Sequence, residues 1–103
     1  MTIQEVCGRL VQWLHQLGYT TRTDLHRHSN EQYFIINIGE RGMPQLTALD
    51  YKLSLYMSDK DYELDLLELA PNLIIRSIGS FDLADPDLLE CLERLIRARM
   101  PQP

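Results

Sequence analysis

The sequence has no long apolar run and no basic segment that leads into an apolar one. A helix that crosses a bilayer needs roughly 20 consecutive apolar residues, and no run here approaches that length. A secretory signal needs a basic region followed by an apolar one. We therefore expect a cytoplasmic protein with neither a membrane anchor nor a signal peptide.

Cysteine is scarce, since Cys7 and Cys91 are the only two and lie far apart in the chain. Metal-binding and redox motifs usually bring two cysteines within a few residues of each other, as in CxxC. We expect both thiols to be reduced and buried, one on each predicted helix. A disulfide between the two helices is the alternative.

Motifs of catalysis are also missing. Gly39-x-x-Gly42 is followed by Met43 and Pro44, whereas a phosphate-binding loop precedes a helix or carries a lysine and a hydroxyl. We interpret it as a turn. Neither cysteine has a histidine within its own motif to act as a base. The acids between Asp59 and Glu68 fit a solvated face. The sequence thus predicts a protein that is not an enzyme and holds no cofactor.

Positive charge is in deficit, because 15 acidic residues outweigh 10 basic ones for a formal net charge of -5. This balance opposes broad attraction to nucleic-acid phosphates or anionic membranes and suits a basic protein partner. The chain has 103 residues, of which 45% are hydrophobic and 24% charged. These values are typical of one globular domain. We expect residues 1–103 to form that domain, with a frayed tail at 100–103.

An amphipathic helix is predicted near the start of the chain. Thr2 has Glu5 three residues later, as in a capping box, and Gly18 stands where a glycine commonly ends a helix. Apolar residues recur on one face at Ile3, Val6, Cys7, Leu10, Leu14 and Leu17. Trp13 lies at the rim of this stripe, where it packs on the sheet or contacts a partner. Gly8, in mid-helix, suggests a close contact between helix and sheet.

A second amphipathic helix is predicted near the end of the chain. Asp85 suits the N-cap, Pro86 the first helical position, and Asp87 the acidic first turn. The apolar stripe of this helix consists of Leu88, Leu92, Leu95 and Ile96.

Strand patterns fill the middle of the chain. Residues 19–28 alternate between weakly apolar and polar, and residues 33–38 are apolar on both sides, which places them inside a sheet. Residues 49–57 and 62–66 alternate again, and the polar residues 58–61 between them predict a hairpin turn.

Three stretches leave the regular pattern. The alternation slips by one position between Leu66 and Leu67, which predicts a bulge or a short helical turn. Residues 73–78 are β-branched and nearly uncharged, as in a strand covered on both faces. Residues 43–48, which contain Pro44, predict a short helix or a loop.

The predicted fold is therefore α+β, with the order α-β-β-β-β-β-α and a mainly antiparallel sheet covered on one face by both helices. The opposite face would carry Tyr33, Ile35 and Tyr56 or their neighbours, depending on the register. Exposed aromatic and aliphatic side chains of this kind usually mark an interface. Together with Trp13, these residues are the predicted partner-binding set.

One set of residues suggests a metal site. Asp24, His26 and His28 would project from the same face of a strand and offer a carboxylate and two imidazoles. The polar face of this segment, which also carries Thr20 and Arg22, is more typical of a solvated face than of a metal site. No metal ligand is assigned, and these three residues are the candidates for one.

Arginines near an aromatic residue raise the alternative of single-stranded nucleic acid. Arg22, Arg27 and Tyr33 supply the basic groups and the stacking surface that such platforms combine, although the overall acidity opposes this function.

The function that we predict is protein binding through the exposed sheet face, by a small acidic adaptor, inhibitor or immunity-type protein that forms a homodimer. In size, charge and layout, with its closing amphipathic helix, the chain is similar to the chaperones that escort effectors of specialised secretion systems. That resemblance implies a chaperone-like role.

Overall fold

The computed structural model describes residues 2–39, 52–69 and 75–100. In these ranges the helices and strands are α1 (Ile3–Gln16), β1 (Thr20–His28), β2 (Glu31–Gly39), β3 (Leu53–Ser58), β4 (Glu63–Leu69), β5 (Ile75–Asp82) and α2 (Leu88–Arg99). The strands form one antiparallel sheet in the order β1-β2-β3-β4-β5. The predicted α+β class and element order are confirmed. Residues 43–48 lie outside the described residues.

The ends of α1 follow the sequence signals. The Thr2 hydroxyl accepts a hydrogen bond from the Glu5 N–H at 3.2 Å, which satisfies one of the free donors of the first turn. At the other end Gly18 adopts a φ of 94°, a left-handed conformation that glycine tolerates best. The chain then turns into β1, and the Tyr19 N–H bonds to the Leu14 carbonyl at 3.1 Å.

Alternation in β2 decides which face of the sheet is buried. Phe34, Ile36 and Ile38 are all buried, and each lies opposite a buried residue of β3. The helices complete this core with Ile3, Val6, Cys7, Leu10 and Leu14 from α1 and Leu88, Leu92 and Ile96 from α2. Both helices therefore pack on one face of the sheet.

The other side of the sheet carries neither α1 nor α2. We call it the open face, and define it by Arg22, Asp24 and His26 of β1, Tyr33, Ile35 and Asn37 of β2, Ser54 and Tyr56 of β3, Glu63, Asp65 and Leu67 of β4, and Ser77, Ser80 and Asp82 of β5. In β2, β3 and β4 these residues alternate along the strand with those that contribute to the core.

The slip between Leu66 and Leu67 is a β-bulge, as predicted, and it lies in β5. Opposite β3 the pairing runs without interruption, so Leu67 turns to the open face while Leu66 stays in the core. Opposite β5, Leu66 pairs with Gly79 and Leu67 with Ser77, which leaves Ile78 as the extra residue. The alternation in β4 thus continues through this point, and the bulge shifts only the register between β4 and β5.

Burial of β5 on both faces was predicted from residues 73–78, and this is wrong for the part that the structure describes. β5 is an edge strand, and Ile75 is 65% exposed. The apolar, β-branched composition was compatible with either place in a sheet, because composition alone does not report how many strands pair with it.

The start of α2 also differs from the prediction. The helix begins at Leu88 with Asp87 as N-cap, and Asp87 makes no capping bond through its side chain. The Asp85 carboxylate accepts a hydrogen bond from the Asp87 N–H at 2.9 Å, so it closes a local turn before the helix. At the C-terminal end Met100, which we expected in the frayed tail, is buried, and its carbonyl accepts a bond from the Tyr19 hydroxyl at 3.2 Å.

Both cysteines are free thiols, so the alternative of a disulfide between the helices is not realised. Cys7 is buried as predicted, whereas Cys91 is only partly buried. Burial raises the pKa of the Cys7 thiol, which keeps it protonated and a weak nucleophile near neutral pH. Within the described ranges, no helix is long and apolar enough to cross a bilayer.

The close helix-to-sheet contact inferred at Gly8 is wrong, since a Cβ atom built there meets nothing within 4 Å. Gly8→Ala should therefore raise the free energy of unfolding by about 1 kcal/mol, because alanine removes the entropy cost of a mid-helix glycine. Urea unfolding followed by circular dichroism measures this change.

Gly79→Ala is the control, because its added Cβ would lie 3.3 Å from the Phe81 ring. We expect no gain in stability from that substitution. A loss of stability in Gly8→Ala would contradict the exposed position of Gly8.

Candidate protein-binding face

A chain of polar contacts crosses three strands of the open face. Arg22 lies 3.6 Å from Asp24 in a salt bridge, measured from Nε to Oδ1. The Asn37 side-chain amide donates to the other Asp24 oxygen at 2.9 Å, and the Ser54 hydroxyl donates to the Asn37 carbonyl oxygen at 2.8 Å. Cross-strand pairing places Arg22, Asn37 and Ser54 level with one another. The polar groups of this part of the face are thus held in fixed positions by one another.

Two tyrosines form the aromatic part of the open face. The rings of Tyr33 and Tyr56 are stacked, with centroids 5.3 Å apart and planes inclined by 29°. Tyr56 lies directly opposite Ile35, so the three side chains form one contiguous patch. Ring stacking of this kind fixes large side chains and lowers the entropy cost of binding through them.

A carboxylate and an amine anchor Tyr33 at the edge of this patch. The Tyr33 hydroxyl donates to Glu31, whose other oxygen lies 3.0 Å from the Lys60 ammonium. The hydrogen bond to Glu31 raises the pKa of Tyr33 to about 12. The same bond, followed by that from Lys60, lowers the pKa of Glu31. For Tyr56, desolvation is the main cause of a raised pKa. Both phenols are therefore neutral hydrogen-bonding groups near neutral pH.

The open face is hollowed by a depression of about 300 Å³. Its apolar lining comes from Ile35, Tyr56, Leu67, Leu69 and Ile75, and its polar lining from Asp24, His26, Asn37, Ser54 and Glu68. Apolar walls with a few ordered polar groups are what protein-binding sites present to an incoming side chain.

The predicted metal candidates do not converge. In the part of the chain that the structure describes, no group of three or more histidine, cysteine, aspartate or glutamate residues could hold a metal ion. Asp24 contacts Arg22 and Asn37 instead. His26 and His28 follow it on the same face of β1, where both side chains are exposed.

The nucleic-acid candidates are separated as well. Arg22 lies on the open face with Tyr33, whereas Arg27 follows the opposite alternation and projects from the helix side of β1. Trp13 is also on the helix side, where it is half-buried and packs at the margin of the core. Of the predicted partner-binding set, the structure thus brings together Tyr33, Ile35 and Tyr56, and leaves Trp13 apart from them.

Sequence reasoning missed Asn37 and Ser54, which complete the polar chain. Asn37 is only 5% exposed, yet it stands in the otherwise apolar run of β2. A buried amide in such a strand must find partners, because an unpaired one costs about 1–3 kcal/mol. That single polar residue was the available signal for a hydrogen-bonded network.

Comparisons with protein-family models, with curated proteins and with solved structures find no match to this chain. The fold and the face place it in a general class, that of two-layer α+β domains with both helices on one side of an antiparallel sheet. Function has to be argued from the open face itself, because a fold of this kind does not determine it.

The bond between Tyr33 and Glu31 generates a prediction about acid stability. Tyr33→Phe should raise the pKa of Glu31 towards its usual value of 4.5, because the largest cause of its lowering is removed. A carboxylate with a lowered pKa in the folded state stabilises the protein above its unfolded pKa and loses that contribution as pH falls. The wild type should therefore lose more stability than Tyr33→Phe between about pH 5 and pH 3.

Carbon-13 NMR titration of the glutamate carboxylates measures the pKa, and urea unfolding at each pH measures the stability. Tyr56→Phe is the matched control, since Tyr56 stacks on Tyr33 but makes no bond to Glu31. An unchanged Glu31 titration in Tyr33→Phe would show that the hydroxyl does not bind this carboxylate.

Proposed function

We propose that this protein is a non-enzymatic interaction module that binds another protein through the open face of its sheet. The observation that carries the proposal is the patch of Tyr33, Ile35 and Tyr56 on a face that neither helix covers. Tyrosine is enriched in protein interfaces and in their energetic hot spots. Such a module acts by occupancy, as adaptors, inhibitors, immunity-type proteins and chaperones do.

The organisation of the patch supports this proposal. The polar groups beside it are already bonded to one another, from Arg22 through Asp24 and Asn37 to Ser54. A partner that covers these polar groups leaves none of them without a hydrogen bond, so the desolvation cost of binding is lowered. Apolar and aromatic contact then supplies the favourable free energy.

The edges of the sheet are less suited to binding than its face. β1 is an edge strand that carries Arg22, His26, Arg27 and His28, and charged edge strands resist the addition of another strand. The other edge strand, β5, is interrupted by the bulge at Ile78, which has the same effect. We therefore assign the binding to the face.

Site-specific photocrosslinking tests the proposal directly. With p-benzoylphenylalanine in place of Tyr56, illumination in the native host should yield a covalent adduct with a protein, because Tyr56 lies in the middle strand of the face. Ile35→Glu in the same chain should abolish the adduct by placing a charge in the patch. Mass spectrometry of the adduct identifies the partner.

Leu89 provides the matched control, since it is 44% exposed and lies on α2, away from the open face. The same photoreactive residue at that position should give no adduct of this mass. Ile35→Thr, which keeps a β-branched side chain, is the uncharged comparison at the same position. Circular dichroism of both Ile35 variants verifies that they fold. Equal adducts from positions 56 and 89, or none from 56, would overturn the proposal.

A further inference from the structure

Charge is distributed unevenly across the open face. The three carboxylates Glu63, Asp65 and Asp82 all lie on the β4–β5 side, and none of them forms an ion pair with a cation of the described residues. On the β1 side the Asp24 carboxylate is paired with Arg22, which leaves His26 and His28 as exposed donors. The face is thus acidic along one side and neutral to basic along the other.

Such a face complements a second copy of itself in only one of two orientations. A two-fold axis parallel to the strands lays β1 of each copy over β5 of the other, so the two unlike sides meet. A two-fold axis in the plane of the sheet and perpendicular to the strands lays β4 and β5 of one copy over β4 and β5 of the other, which brings the two acidic sides together and is repulsive. The strand order β1-β2-β3-β4-β5 fixes both consequences.

We propose that the protein bound at the open face is a second copy of this chain, related by a two-fold axis parallel to the strands and lying along β3. This inference rests on the proposed function and specifies its partner. The axis passes near Tyr56, the aromatic residue of the middle strand, so the Tyr56 rings of the two copies meet at the centre.

The register supplies a specific cross-copy pair. His26 pairs with Tyr33 and Tyr33 with Ser58, while the pairing of Met57 with Leu64 places Glu63 level with Ser58. Asp82 is level with Glu63. A two-fold axis parallel to the strands leaves each residue at the same position along the strand direction. His26 of each copy therefore faces Asp82 of the other. An imidazole can donate a hydrogen bond to a carboxylate in its neutral or charged form.

The size of the face is adequate for such a dimer. Five strands at about 4.8 Å spacing span about 24 Å, and seven residues at about 3.3 Å each span about 23 Å. The flat area is then about 550 Å² per copy. Because side chains project from the sheet, the accessible area of the face is larger than this and closer to the value of about 800 Å² per partner in an ordinary specific interface. We expect a dimer with a dissociation constant in the micromolar range.

Sedimentation equilibrium of the purified chain tests the inference. The wild type should have a mass of about twice 12.0 kDa at high micromolar concentration and dissociate on dilution. Asp82→Lys should weaken the dimer by about tenfold. The symmetry makes the contact between His26 and Asp82 occur twice, and the substitution makes both copies of it unfavourable. With the perpendicular axis the same variant would relieve repulsion and strengthen the dimer, so the sign of the effect distinguishes the two axes.

Glu90→Lys is the control for net charge, since it also changes -5 to -3 but lies on α2. It should leave the dimer unchanged. His26→Glu should weaken the dimer as Asp82→Lys does, and the double variant should restore most of the wild-type affinity. Failure of the double variant to recover, or a stronger dimer in Asp82→Lys, would overturn the two-fold arrangement.

The outcome separates the two proposals. A monomer at all concentrations, combined with a Tyr56 adduct to a different protein, would overturn the second copy as partner and leave the binding function standing. A monomer with no adduct at all would overturn both. Loss of dimer in Ile35→Glu, together with retention in Glu90→Lys, would support both.

Discussion

The unequal covering of the two faces of the sheet is the constraint on which the rest of this structure depends. Both helices pack on the face that carries Phe34, Ile36 and Ile38. The central strands β2, β3 and β4 therefore bury one alternation and leave the other without α1 or α2 above it. The residues of the second alternation have to be stable without that cover.

The open face meets this demand by bonding its polar groups to one another. Asn37 is surrounded by apolar residues of β2, and its amide bonds to Asp24 and Ser54 replace those that water would otherwise provide. Stacking of Tyr33 on Tyr56 buries part of each ring. Ile35 beside them is half-buried without any cover from α1 or α2. The polar and aromatic groups of the face therefore hold one another in place.

Much of this architecture could be predicted because it depends on local patterns. The alternation in β2, the cap at Thr2 and the left-handed Gly18 each follow from residue types within a few positions. The register shift between Leu66 and Leu67 was also predicted, although the extra residue lies in the neighbouring strand and β4 itself keeps its alternation. Local physics determined these features, so the sequence was sufficient for them.

Features that depend on distant pairing could not be predicted in the same way. Whether β5 lies inside the sheet or at its edge depends on the absence of a sixth strand beside it among the described residues, and nothing in residues 75–82 encodes that. The candidate metal residues shared a face as expected, but the chain pattern could not show that Asp24 would be taken by Arg22 and Asn37. Competition between partners is settled only in three dimensions. For the same reason the sequence could not show how charge is arranged across the open face. The acidic residues of β4 and β5 fitted an ordinary solvated face, and only the strand pairing places them on the same face as the histidines of β1, at the opposite side of the sheet.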